Sequence, residues 1–250
     1  MGKEISLHAS PSNLNRLEIP APVDPSWKTL YKLGGVTALI SLLAAPAEIV
    51  IGLFPGVQQI LVHTVTVSDW FALFQNHWFL GLRSLGLLNI VGAALFIPTI
   101  LAIAHLLRRE GAAFAALASI VFFLGTAVYL ASSRAFPMLS LAHQYAASSR
   151  DADRALLAAA GQALLAEGES RSGILLIEFS FFFISAVMFR SEVFGKITAC
   201  AGMLAGVLMM VLEVAFMPPQ GAGMIVAAGG GLAMMTWSFL VGRRLLQMGR

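Results

Sequence analysis

The fold is decided by SLGLLNIVGAALFIPTILAIAHLL (residues 84–107), the charged triplet RRE (108–110), and then GAAFAALASIVFFLGTAVYLASS (111–133). Two runs, each longer than 20 residues and free of Asp, Glu, Lys and Arg, flank three charged residues. A helix needs about 20 mostly apolar residues to cross the hydrocarbon of a bilayer. The pair therefore reads as two membrane spans joined by a short charged turn.

Working outward, four more segments meet the same test. Leu33 to Phe54 holds only Glu48, Ser172 to Phe189 only Glu178, Ile197 to Met217 only Glu213, and Gly221 to Gly242 no charge at all. Across the 250 residues, 58% are hydrophobic and 12% are charged. A soluble domain is roughly a quarter charged, so this chain lacks the polar surface a water-exposed globule requires. The predicted class is an all-α membrane protein with six transmembrane helices. Residues 1–26, with four prolines and no apolar core, read as a flexible polar tail without a cleavable signal peptide. Residues 27–250 read as one domain. Cys200 stands alone in an apolar run, so no disulfide framework is expected.

Basic residues orient the spans, because Lys and Arg are retained on the cytoplasmic side. With the N-terminus inside, eleven of the sixteen Lys and Arg fall on the inner side, among them the pairs Arg108–Arg109 and Arg243–Arg244. Both termini are therefore expected in the cytoplasm. The outer side holds two long connections, 55–81 and 134–171. The first carries Trp70, Phe71, Phe74, Trp78 and Phe79, a density that suits the bilayer interface. Ser68 followed by Asp69 predicts a short interfacial helix capped by Ser68. In the second connection, Met138 to Ala147 is placed along the surface. Ser149 is the expected cap of another helix from Arg150 to Glu167, ending at Gly168.

The run RAFPMLSLAHQYAA (134–147), continued by RALLAAAGQALLA (154–166), RSEVFGK (190–196) and GRRLLQMG (242–249), resembles a bacterial family of six-helix integral membrane proteins, domain of unknown function 4386. The likeness extends from about Leu33 to Gly249. It implies a bacterial inner-membrane location and brings no assigned active site.

Polar chemistry gathers at one depth. Glu48 and Glu178 each lie six residues from the outer end of their spans, about 9 Å, and Glu213 lies four residues in, about 6 Å. Arg83 and Arg134 stand at the outer ends of the second and third spans, with Asn89 below Arg83. Charges in a bilayer usually face the bundle interior and pair. Pairing of Glu48 or Glu178 with Arg83, and of another acid with Arg134, would hold helices in register. Three acids against two arginines also leave a carboxylate free to serve a proton or cation site. Pro46 and Pro98 are expected to kink the first and second spans. Gly202-Met-Leu-Ala-Gly206 has the spacing of close helix packing and reads as an internal surface.

These residues predict a protein that binds or moves a small ligand, or assists another membrane protein, at the outer layer of Glu48, Arg83, Asn89, Arg134, Glu178 and Glu213. One alternative is an enzyme acting on lipid or a lipid-linked substrate, with His63, His77 or His143 assisting a carboxylate. Another is a structural or partner-binding subunit whose polar layer only joins helices. No phosphate loop, dinucleotide fingerprint or His-x-x-x-His spacing occurs. Hence no cofactor or metal is expected, and the partners foreseen are the lipid bilayer, a small molecule or a membrane protein, not nucleic acid.

Overall fold

The computed structural model describes residues 25–52, 54, 57, 58, 60, 63, 66–167, 171–215 and 221–250. The expected tail and the stop at Gly168 lie outside them. The described residues form helices and connections, with no strand among them. In chain order the helices are α1 (Pro25–Gly52), α2 (Val67–Asn76), α3 (Trp78–Ser84), α4 (Leu87–Ala131), α5 (Ala135–Ala147), α6 (Asp151–Glu167), α7 (Arg171–Arg190), α8 (Lys196–Val214) and α9 (Ala222–Met248). Four of them, α4, α7, α8 and α9, are long and apolar enough to cross a membrane. α1 begins well before the predicted start at Leu33, and α9 runs past Gly242. Hydrogen bonding continues beyond the apolar stretch because nothing at Lys28, Lys32 or Arg243 breaks a helix.

α4 is helical over 45 residues except at Gly111, where φ is −172° and ψ 52°. That one residue folds it into a hairpin. Phe96 and Phe122 both pack their rings on Phe181, at centroid distances of 5.3 and 5.9 Å. Along a straight helix they would stand about 39 Å apart. The arms 87–110 and 112–131 therefore run back beside one another. The helical backbone carries through Pro46 and Pro98, and the break at Gly111 directly follows the charged triplet 108–110 expected to join the two spans.

The long helices close a ring in which α1 packs on α9 and α4, α4 on α7, α7 on α8, and α8 on α9. Glycines set the closest approaches. A Cβ at Gly125 would lie 2.9 Å from the Gly173 carbonyl oxygen, and one at Gly35 would lie 2.9 Å from that of Gly242. Threonines fasten α1 to the first arm of α4: Thr99 Oγ1 donates to Gly34 O at 2.8 Å and lies 3.1 Å from Thr37 Oγ1. In the centre, Phe181 meets Trp237 edge-on at 5.1 Å, and Phe122 and Trp237 are fully buried. Outward faces are apolar at helical spacing, as in Leu33, Val36, Ile40 and Leu43 of α1 and Phe114, Leu117, Ile120 and Leu124 of α4. Continuous apolar stripes of this kind are a lipid-facing surface, not one made for water.

α2, α3, α5 and α6 form a cap at the end where α4 starts and finishes. Phe71, Phe74, Leu82, Leu85, Met138 and Ala142 make its core, which Leu87 and Ile90 join to the bundle. α2 is capped by Thr66, not Ser68. Asp69 N donates to Thr66 Oγ1 at 3.3 Å, and Thr66 N donates to Asp69 Oδ2 at 2.7 Å. That reciprocal box needs its two members three residues apart, a spacing Ser68 lacks. α6 likewise starts at Asp151, one residue after the expected Arg150, which places Arg150 rather than Ser149 at the cap position. Its first-turn acid Asp153 accepts from Arg150 Nε at 2.7 Å. Met138 and Ala142 of α5 are buried in the cap rather than laid on a surface.

Candidate functional site

α7 enters the bundle at Arg171 and carries Glu178 on its buried face, together with Phe181, Ile184 and Ser185. Glu178 is only 9% exposed, and its Oε2 has no hydrogen-bond partner among the described residues. An unsatisfied charged oxygen is costly in a bilayer, so such groups mark functional positions. Gly206 of α8 makes the burial possible, since a Cβ there would lie 2.9 Å from Glu178 O and from Phe182 N. Glu213 lies two turns further along α8. Its own partner is Arg171, whose NH1 lies 4.0 Å from Glu213 Oε2 and donates to Glu213 O at 3.2 Å. Arg171 is half exposed, so this contact is worth little as an ion pair. It does tie the first turn of α7 to the last of α8.

The six predicted residues do not form one described cluster. Glu178 and Glu213 lie on the neighbouring helices α7 and α8. Arg134 belongs to the cap instead, where NH1 donates to Leu165 O at 3.1 Å and binds the start of α5 to the last turns of α6. Arg83 is buried in α3. Asn89 is exposed on α4. Glu48 lies in the last turns of α1, with its side chain outside the described residues.

Sequence reasoning missed three features. Arg171 is the partner of Glu213. Thr126 Oγ1, Ser185 Oγ and Trp237 Nε1 are buried polar atoms without partners among the described residues. A Cβ at Gly202 would lie within 2.6 Å of both Ser185 Oγ and Trp237 Nε1, so these last two are neighbours. At the opposite end of the bundle, His105 stacks on Trp27 at 3.3 Å between centroids, and its Nδ1 lies 2.5 Å from the Tyr31 hydroxyl. A lone Ser, Thr or His in an apolar run carries no sequence signal for any of this.

His63, His77 and His143 are all exposed. Among the described residues no three His, Cys, Asp or Glu converge as metal ligands would. Gly202 and Gly206 both face neighbouring helices, which makes their spacing an internal packing surface. Comparison with curated proteins and with solved structures finds no match. Residues 40–249 match the family described as a domain of unknown function, DUF4386. With that match spanning most of its length, the chain belongs to the DUF4386 family.

Proposed function

We propose that the chain is a six-span protein of the bacterial inner membrane, with both termini cytoplasmic, which binds a small cationic ligand from the outer side at Glu178. The observation that carries this reading is the buried Glu178 Oε2, partnerless among the described residues, with Glu213 on the neighbouring helix α8. A cation would supply the missing partner of the Glu178 carboxylate, whereas an apolar guest would leave that oxygen unsatisfied. The six-span count is supported by the hairpin at Gly111, whose two arms join α1, α7, α8 and α9. Orientation is supported by the basic pairs at the ends of the hairpin turn and of α9. The bilayer as partner is supported by the apolar stripes.

Binding is favoured over passage through the bundle. Below Glu178 the centre is filled by Phe96, Phe122, Phe181 and Trp237, in ring contact with one another. The outer layer of Glu48, Arg83, Asn89, Arg134, Glu178 and Glu213 thus narrows to the α7–α8 carboxylates as ligand groups, with Arg83 and Arg134 holding the cap.

The test uses the protein in phosphatidylcholine nanodiscs and the lipophilic cation tetraphenylphosphonium as probe, followed by equilibrium dialysis. Glu178→Gln is expected to weaken binding at least about tenfold, the value of a lost charged contact. Glu213→Gln should weaken it less, and Glu110→Gln, in the hairpin turn, should leave it unchanged. No binding by the wild type, or equal binding by a folded Glu178→Gln variant, rejects the reading.

A further inference from the structure

At the other end of the bundle, the start of α8 and the end of α9 enclose a recess of about 310 Å³. Its walls include Arg243, Arg244, Gln247, Thr198, Leu240 and Glu192. Arg244 lines the recess and is held in place, since its Nε donates to Val193 O at 2.8 Å. Arg243 is exposed at the mouth. Thr198 is only 6% exposed and lines the recess. α8 begins beside it without a side-chain cap, Gly195 holding the cap position. Its first N–H groups are therefore unsatisfied and carry the positive end of the helix dipole. Two guanidiniums, a buried donor and free amides around one space are the chemistry of a phosphate site.

The surroundings choose which phosphate. Ile197 beside the recess is 74% exposed and Phe239 is 48% exposed, on the outward faces of α8 and α9. A soluble anion would leave these side chains uncovered, but the acyl chains of a lipid lie along them. We propose that this recess binds the phosphate headgroup of an anionic phospholipid, with its chains against α8 and α9. Arg243, Arg244, Thr198 and the α8 amides take the phosphate oxygens. Gln247 is placed to meet a headgroup hydroxyl. Glu192, also on the wall, opposes the charge and limits affinity. The site is separate from Glu178, and its failure would leave the cation reading untouched. It uses the same bilayer placement, by which it faces the cytoplasmic leaflet, where juxtamembrane basic groups meet anionic lipid.

The experiment measures lipid retention by native mass spectrometry after release from nanodiscs of phosphatidylcholine mixed equally with phosphatidylglycerol. Wild type is expected to retain phosphatidylglycerol in preference to phosphatidylcholine. Arg243→Gln should reduce that retention about fivefold, the worth of one basic group at the membrane surface. Thr198→Val should reduce it without altering the fold, and Glu192→Gln should increase it. Arg109→Gln removes a basic residue outside the recess and should have no effect. In a parallel arm, inorganic phosphate is added to protein in phosphatidylcholine alone, and thermal stability is read. Three results overturn the proposal: no preference for phosphatidylglycerol, equal loss in Arg109→Gln and Arg243→Gln, or stabilisation by inorganic phosphate equal to that by phosphatidylglycerol. The last would assign the recess to a soluble anion.

Discussion

Trp237→Ala is expected to destabilise the folded bundle by about 3 kcal/mol, the lower end of the range for removing a buried aromatic. The indole is fully buried on α9 and contacts Phe181 at 5.1 Å and Phe96 at 6.2 Å, linking three helices. The lower end applies because the reference state differs from that in water. Separated helices in lipid keep their apolar side chains in hydrocarbon, so the transfer contribution cancels. What remains is the void and its lost dispersion contacts. Unfolding in detergent titrated with sodium dodecyl sulfate measures the change. Trp78→Ala, at a position 57% exposed in the cap, is the control and should shift the midpoint little. Equal shifts in both variants would show that Trp237 is not the packing centre.

Gly202→Ala should also destabilise, by up to about 2 kcal/mol net, for the opposite reason. Alanine favours helix over glycine by about 1 kcal/mol, so on propensity alone the variant would be more stable. Here the added methyl would stand 2.1 Å from Ser185 Oγ and 2.4 Å from a ring carbon of Trp237. The indole cannot retreat, because Phe96 and Phe181 lie on it. Overpacking a rigid site costs 1–3 kcal/mol and occasionally more, which outweighs the propensity gain. Combining Gly202→Ala with Ser185→Ala removes the closest clash and should recover part of the loss. The non-additivity of that pair, read in the same unfolding assay, measures the contact directly. A Gly202→Ala protein as stable as wild type would mean that α8 does not seat against α7 and α9 at this level.

Features set by composition and short spacing are legible in the sequence. The apolar runs predicted α4, α7, α8 and α9 because each helix must expose hydrocarbon-compatible faces over its length. The helix from about Arg150 to Glu167 was also legible, through its first-turn acids and its apolar spacing. The cap of α2 was legible too, but misread: Thr66 and Asp69 stand three apart, whereas Ser68 merely adjoins the acid. What sequence could not supply were partners chosen by tertiary approach. Arg134 binds a backbone carbonyl at Leu165, and backbone carbonyls are the same at every position. Arg171, rather than Arg83 or Arg134, meets Glu213, because the first turn of α7 ends beside the last of α8. Glu178 and Glu213, expected at a similar depth, do lie on neighbouring helices. Depth says nothing of the direction a side chain faces around its helix, which is why Asn89 emerges on the outside.

The hairpin in α4 spends a single residue on its reversal, and this gives its two arms a common angular phase. A loop of several residues would let each arm settle on its own neighbours. Here the rotation of the second arm is inherited from the first through Gly111. Each residue added to or removed from 108–110 would turn the second arm by about 100°. Ala115, Ala118, Phe122, Gly125, Thr126 and Tyr129, all now buried, would swing away from α7 together. The turn thus works as a reading frame for the bundle: its length carries the information that a longer loop would leave to packing.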